Sequence, residues 1–188
     1  MKPRTAHLAL VSLLILFISS IARADETGFR AIFDGKTLDG WDGNPDFWSV
    51  TDGAITGQTT TENPTKGNTF IIWKEGKPGD FELRLQFRIV GGNSGIQYRS
   101  REVSKWVIGG YQADFDGPGA WTGTLYEEKG RGVLARRGSK VTVSAKGEKT
   151  TTGKTASEEE ILAAVKKEDW NDYTIIAEGN HLIQIING

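Results

Sequence analysis

Cysteine is absent from the 188 residues. Its absence excludes disulfide staples, thiolate-ligated zinc or iron–sulfur centres and a thiol nucleophile. Charge of one sign is lacking too, with 23 Lys and Arg against 24 Asp and Glu and a formal net charge of -1. That balance leaves no basic footprint for nucleic acid. No GxSxG elbow, P-loop, HExxH pair or EF-hand loop occurs. The chain has two histidines, of which His7 lies in an N-terminal leader, so only His181 remains beyond it. A mechanism that needs two histidines within this chain is therefore excluded.

The leader is the first positive signal. Lys2 and Arg4 precede an apolar run from Leu8 to Ile21, and Ala22-Arg23-Ala24 supplies the small-x-small pattern of a signal peptidase site before Asp25. The run is shorter than the roughly 20 residues that span a bilayer. Residues 1–24 therefore read as a cleaved export signal and residues 25–188 as one domain, periplasmic or extracellular. Three basic and no acidic residues leave with the leader, so the remainder is mildly acidic. No second apolar span follows, and no membrane partner is expected after cleavage.

Glycine is abundant, with 24 residues, close to twice the usual share of about 7%. It falls between short alternating runs. In Phe81-Glu82-Leu83-Arg84-Leu85-Gln86-Phe87-Arg88-Ile89 the apolar and polar residues occupy opposite faces of a half-buried antiparallel strand. Phe47–Val50 and Ala54–Gly57 flank Asp52-Gly53, which predicts a hairpin with a type I′ turn. Further strands are expected at Ala31–Phe33, Thr69–Trp73, Gly95–Arg99, Gly110–Phe115, Thr124–Glu127, Gly132–Ala135, Asp172–Ala177 and His181–Ile186. Many short strands between turn signals indicate an all-β sandwich or barrel. One short helix interrupts them, opened by the capping box Ser157-Glu158-Glu159-Glu160 and followed by Lys166 and Lys167 at its C-terminal end. Lys146–Thr155, without an apolar residue, reads as an exposed mobile loop, and Trp41, Trp48 and Trp73 as core. Asn187-Gly188 is a hairpin signal with no strand after it, so a domain truncated at its C-terminus is expected.

Chemistry-bearing residues cluster in the middle of the chain. Alternation in Gly95–Arg101 and Gly110–Asp116 puts Arg99, Gln112 and Asp114 on one sheet face. A guanidinium, an amide and a carboxylate suit the paired hydroxyls of a sugar, although cross-strand charges also pair with each other on solvated faces. Trp106, Tyr111, Trp121 and Tyr126 lie in or beside the adjoining loops and are candidate stacking platforms for a pyranose. Glu127 and Glu128 are candidate acid/base groups, one of which faces inward.

Several motifs occur together and in order: Phe33-Asp34-Gly35-Lys36-Thr37-Leu38-Asp39-Gly40-Trp41, Trp48–Ile55, Phe81–Arg88, and Asn93-Ser94-Gly95-Ile96 with Arg99. With Trp170-Asn171-Asp172-Tyr173, Gly179-Asn180-His181 and Asn187-Gly188, they resemble the 3-keto-disaccharide hydrolases, a family long described as a domain of unknown function. The resemblance implies a concanavalin A-like jelly-roll sandwich of two antiparallel sheets, exported, acting on a carbohydrate. The implied reaction is cleavage of 3-keto-glycosides by 1,2-elimination and hydration. On this resemblance Asp114 is expected as the base or a metal ligand and Arg99 as the oxyanion stabiliser. Gln112, Tyr111, Trp121, Tyr126 and Glu127 are expected to contact substrate, and a divalent cation could assist as Lewis acid. Family members continue past the Asn-Gly turn, which this chain does not. A non-catalytic carbohydrate-binding module of the same fold, or an exported interaction protein, are the rival expectations.

Overall fold

The computed structural model describes residues 28–188, so the export signal expected at 1–24 lies outside the described residues. Within Phe33–Gly188 the chain forms, in order, β1 (Trp41–Asp42), β2 (Trp48–Thr51), β3 (Ala54–Gly57), β4 (Ile72–Trp73), β5 (Phe81–Phe87), β6 (Asn93–Ser104) and β7 (Val107–Asp116). There follow β8 (Leu125–Glu128), β9 (Gly132–Ala135), β10 (Ser139–Val143), β11 (Lys149–Lys154), α1 (Glu158–Ala164), β12 (Asn171–Glu178) and β13 (His181–Ile186).

Two antiparallel sheets, β13-β12-β5 and β6-β7-β8-β9, pack face to face as a jelly-roll sandwich. Alternation decides which residues meet. Phe81, Leu83, Leu85 and Phe87 of β5 point inward, joined by Tyr173, Ile175 and Ala177 of β12 and by Tyr98, Ala113 and Phe115 of the facing sheet. Phe87 stacks on Phe115 with ring centroids 4.3 Å apart, and Tyr173 tilts against Phe87 at 5.6 Å. Fully burying each large side chain contributes roughly 1.5–3 kcal/mol, so this layer dominates the stability of the domain.

Smaller ladders flank the sandwich. Asp52 and Gly53 both have positive φ, 51° and 77°, as a type I′ turn requires, and they join β2 to β3. The three tryptophans expected in the core lie elsewhere. Trp41 pairs with Trp73 in the β1–β4 ladder, and Trp48 lies on β2, all three half-buried. Ala31–Phe33, expected as a strand, forms none, and the strand expected at Thr69–Trp73 shrinks to β4.

The expected loop at Lys146–Thr155 is instead largely strand. β11 pairs with β10 across a bulge, and Lys149 Nζ donates to the carbonyl of Arg131, just before β9, and to that of Val133 on β9, at 2.9 and 2.6 Å. Backbone pairing and a lysine cap hold a segment that has no apolar alternation to announce it. The capping box forms as expected, with Ser157 and Glu160 exchanging hydrogen bonds. The helix stops at Ala164, however, so Lys166 and Lys167 lie beyond its last turn.

Candidate functional site

Directly opposed residues of an antiparallel pair share a face, and register therefore selects the neighbours. Gln97 of β6, Gln112 of β7 and Tyr126 of β8 are opposed in one row. Asp114, two residues along β7 and opposite Gly95, points the same way, and so does Glu128, opposite Gly110. Ala113 and Phe115 face the core, so this row lies on the other side of the sheet. It is nonetheless sheltered, with Gln112 7%, Asp114 4% and Glu128 8% exposed.

A directional chain of hydrogen bonds runs along the row. Gln97 Nε2 donates to Gln112 Oε1 at 3.0 Å, and Gln112 Nε2 donates to Asp114 Oδ1 at 2.6 Å. Gly95 makes the approach feasible, since a Cβ there would stand 2.6 Å from Gln112 Cγ. Burial raises the Asp114 pKa from its ordinary 3.8 to about 6, and the nearby Asp116 and Glu128 charges push it further the same way. Hydrogen bonds from Gln112 and Asn93 oppose that rise without cancelling it. Two buried atoms close by, Gln97 Oε1 and Thr124 Oγ1, have no partner among the described residues. A sheltered carboxylate that takes up a proton near pH 6, beside oriented amides and a phenol, is equipped for proton abstraction and for binding hydroxyls.

Residues 28–188 match the family described as the 3-keto-alpha-glucoside-1,2-lyase-like domain. The chain belongs to that family. A relative named 3-keto-disaccharide hydrolase, from Bacteroides thetaiotaomicron, is 34% identical over 90 residues. The match covers 43% of this chain and 30% of the relative's length.

In this lyase-like domain the row brings together Gln112, Asp114 and Tyr126 of the residues expected from sequence. Arg99 is not with them. The register breaks between Tyr98 and Arg101, Arg99 takes a φ of 48°, and its guanidinium reaches the facing sheet instead. There it donates to the carbonyls of Gly79 and Gly179 and pairs with Asp80 at 2.8 Å. Asp80 also accepts from Gly179 N at 2.9 Å, so the knot ties the β12–β13 turn to the segment that enters β5.

Tyr111 and Glu127 are opposed to each other on the core-side face, not in the Asp114 row. Arg131 bonds the Glu127 carboxylate and holds it below the usual carboxylate range, while also reaching the Tyr111 hydroxyl at 3.3 Å. Of the two adjacent glutamates, Glu128 shares the Asp114 face. Trp121 is 39% exposed, with the Arg136 guanidinium 4.6 Å above its ring. That face of the indole is already covered.

The surroundings of Asp114 do not fit a divalent cation. Its oxygens accept from the amides of Gln112 and Asn93, which present N–H groups where a metal needs further oxygen or nitrogen lone pairs. Among the described residues no group of three His, Asp or Glu side chains is placed to hold a metal ion. Gln97, Asn93 and Thr124 are the site residues that sequence alone did not select, whereas Glu128 was already a candidate acid/base group. Alternation in Gly95–Arg101 already puts Gln97 on the polar side, and Thr124 was recoverable only from the tertiary structure.

Proposed function

We propose that this domain is the sugar-cleaving part of an exported enzyme that acts on 3-keto-glycosides by 1,2-elimination followed by hydration. The observation that carries the reading is Asp114, sheltered, aligned by Gln112 and poised to take a proton near neutral pH. Family membership and the name of the hydrolase relative support a carbohydrate substrate.

A ketone at C3 acidifies the C2 hydrogen. Asp114 takes that proton, and the electron pair of the C–H bond moves into a C2–C3 enolate. When the ketone re-forms, the C1–O bond breaks and its electrons leave with the aglycone oxygen, which acquires a proton. Water then adds across the new C1–C2 double bond, hydroxyl to C1 and hydrogen to C2, and the 3-keto sugar is released. With Arg99 engaged elsewhere, the developing oxyanion is met by the neutral donors of the row, the Tyr126 hydroxyl and the Gln97 and Gln112 amides.

The test incubates the protein with a glucoside and with its 3-keto derivative and follows aglycone release. Release from the keto form alone is expected. Binding without release would identify a carbohydrate-binding module, and neither would overturn both readings. Arg99→Ala separates this site from the knot at Gly79 and Gly179. It is expected to lower stability by about 1–3 kcal/mol, the scale of lost charge-assisted hydrogen bonds, and to leave kcat within a few-fold. A loss of kcat comparable to removal of Asp114, at unchanged thermal midpoint, would return Arg99 to the reaction.

A further inference from the structure

At the far end of β6 and β7 lies a cleft of about 340 Å³, lined by residues that the Asp114 row does not use. Val107, on its wall, is seven residues from Asp114 along β7, roughly 24 Å at about 3.4 Å per residue. Small-ligand pockets run from roughly 300 to 1,000 Å³, so the cleft is large enough for a small organic ligand and roomy for a bare inorganic anion.

Its lining has a definite chemistry. Phe47, Trp106 and Val107 form an apolar wall, Asn44 and Asn68 supply amides, and among the described residues Lys66 and Lys105 are the only charged ones that line it. The Thr69 hydroxyl oxygen, also at the cleft, is buried without a partner among the described residues. A buried hydroxyl left unpaired is destabilising, and a polar ligand relieves it.

Trp106 is held in an unusual way. It sits at the β6–β7 turn with a φ of 58°, a conformation in which a bulky side chain is rare and which Gly or Asn adopts more cheaply. Several contacts fix it there: its indole N–H donates to Asp42 at 2.8 Å, its carbonyl accepts from Phe70 N at 2.9 Å, and the Lys105 ammonium stands 4.1 Å from the ring centroid. A hairpin tip that only had to turn would not need an indole in this conformation.

We propose that this cleft is a second ligand site, separate from the Asp114 row, which takes a sugar unit bearing a carboxylate. Phe47 and the Trp106 face that Lys105 leaves open pack on the C–H face of the ring, as aromatic side chains do with flat apolar surfaces. The amides and the Thr69 hydroxyl meet its hydroxyls, and the two ammonium groups meet its carboxylate. Recognition at this end selects an acidic unit remote from the bond that is cut.

The experiment titrates the protein with methyl β-glucuronide and with methyl β-glucoside and follows side-chain amide and indole resonances by NMR. The glucuronide is expected to shift the Trp106 indole N–H and the Asn44 and Asn68 amides while leaving Gln112 in place. Its affinity should exceed that of the glucoside by about tenfold, equivalent to 1.4 kcal/mol. Lys66→Glu with Lys105→Glu should remove that preference with the rest of the spectrum unchanged. Equal binding of the two glycosides, the same shifts with inorganic phosphate, or an unaltered preference in the double variant would each overturn the proposal. So would an undisturbed Trp106 resonance. None of these outcomes depends on turnover at Asp114.

Discussion

Asp114→Asn is expected to abolish aglycone release from a 3-keto-glucoside and, at neutral pH, to raise the thermal midpoint of the domain. Loss of a positioned general base lowers rates by about 10²–10⁴-fold. The asparagine keeps the shape and an oxygen to accept from Gln112 Nε2, so the fall should lie in kcat. The gain in stability has a separate origin. In the folded protein the Asp114 carboxyl keeps its proton up to about pH 6, whereas an ordinary aspartate loses it near 3.8.

Between those values the folded state binds the extra proton, and its stability falls as pH rises through the window. Above pH 6 the penalty is fully present, on the order of 1–3 kcal/mol. Below pH 3.8 it vanishes. The asparagine variant never charges, so calorimetry should find it more stable than wild type at pH 7.5 by several degrees, at about 2–4 °C per kcal/mol. At pH 3.5 the two should be equal. Wild-type kcat/KM should rise with pH through about 6, as the base loses its proton. An active variant, or one less stable at pH 7.5, would remove Asp114 from the role given to it here.

Asp116→Ala is expected to be the most damaging single change to the fold. The Asp116 carboxylate, 6% exposed, accepts from the backbone N–H groups of Ala120, Trp121 and Thr122 and from the Thr122 hydroxyl, each at 2.9 Å. From the other side Arg137, 8% exposed, donates to the carbonyls of Gly119, Ala120 and Thr122 at 2.6–3.0 Å. One buried anion thus collects the N–H groups of the 117–124 loop and one buried cation its carbonyls. Removing the anion leaves several donors unsatisfied, while Arg137 keeps its ion pair with Glu158 at 3.3 Å. Each buried donor left unsatisfied costs about 1–3 kcal/mol, and at about 2–4 °C per kcal/mol at this chain length the midpoint should fall by several degrees or more. Asp116→Asn, which can still accept, should lose less than half as much. A midpoint within 2 °C of wild type for the alanine variant would show that water replaces the carboxylate.

Asp114 and Asp116 are two residues apart on the same strand and face, yet their environments assign them different work. Every oxygen contact of Asp116 is an N–H or O–H of its own loop, which makes it a structural hub. Asp114 has amide partners and acidic neighbours, which leave it ready to accept a proton.

Alternation along Phe81–Ile89 and in Gly110–Phe115 was enough to derive an all-β sandwich or barrel and to put Gln112 and Asp114 on a face opposite the apolar residues, and the family resemblance chose the sandwich. The pattern is period two and local, so it survives without any knowledge of neighbours. Arg99 shows where that reasoning stops. A bulge after Tyr98 adds residues that no alternation signals, and a guanidinium counted on the polar face swings to the facing sheet. β11 shows a second limit. Its Lys, Thr and Gly residues carry no amphipathic pattern, because pairing with β10 and the Lys149 contacts to β9 hold it through backbone groups.

By itself the sequence determined the class of the fold, the type I′ hairpin at Asp52-Gly53, the capping box at Ser157 and the shared face of Gln112 and Asp114. Each follows from local periodicity, from turn chemistry or from the family's own ordered motifs. Tertiary structure alone decided that Gln97 completes the relay and that Glu128 rather than Glu127 shares its face. It also withdrew Arg99, Tyr111 and Glu127 from the site and put a cleft beside Trp106. Those outcomes depend on strand register and on burial, which arise between segments distant in sequence and leave no periodic mark within any one of them.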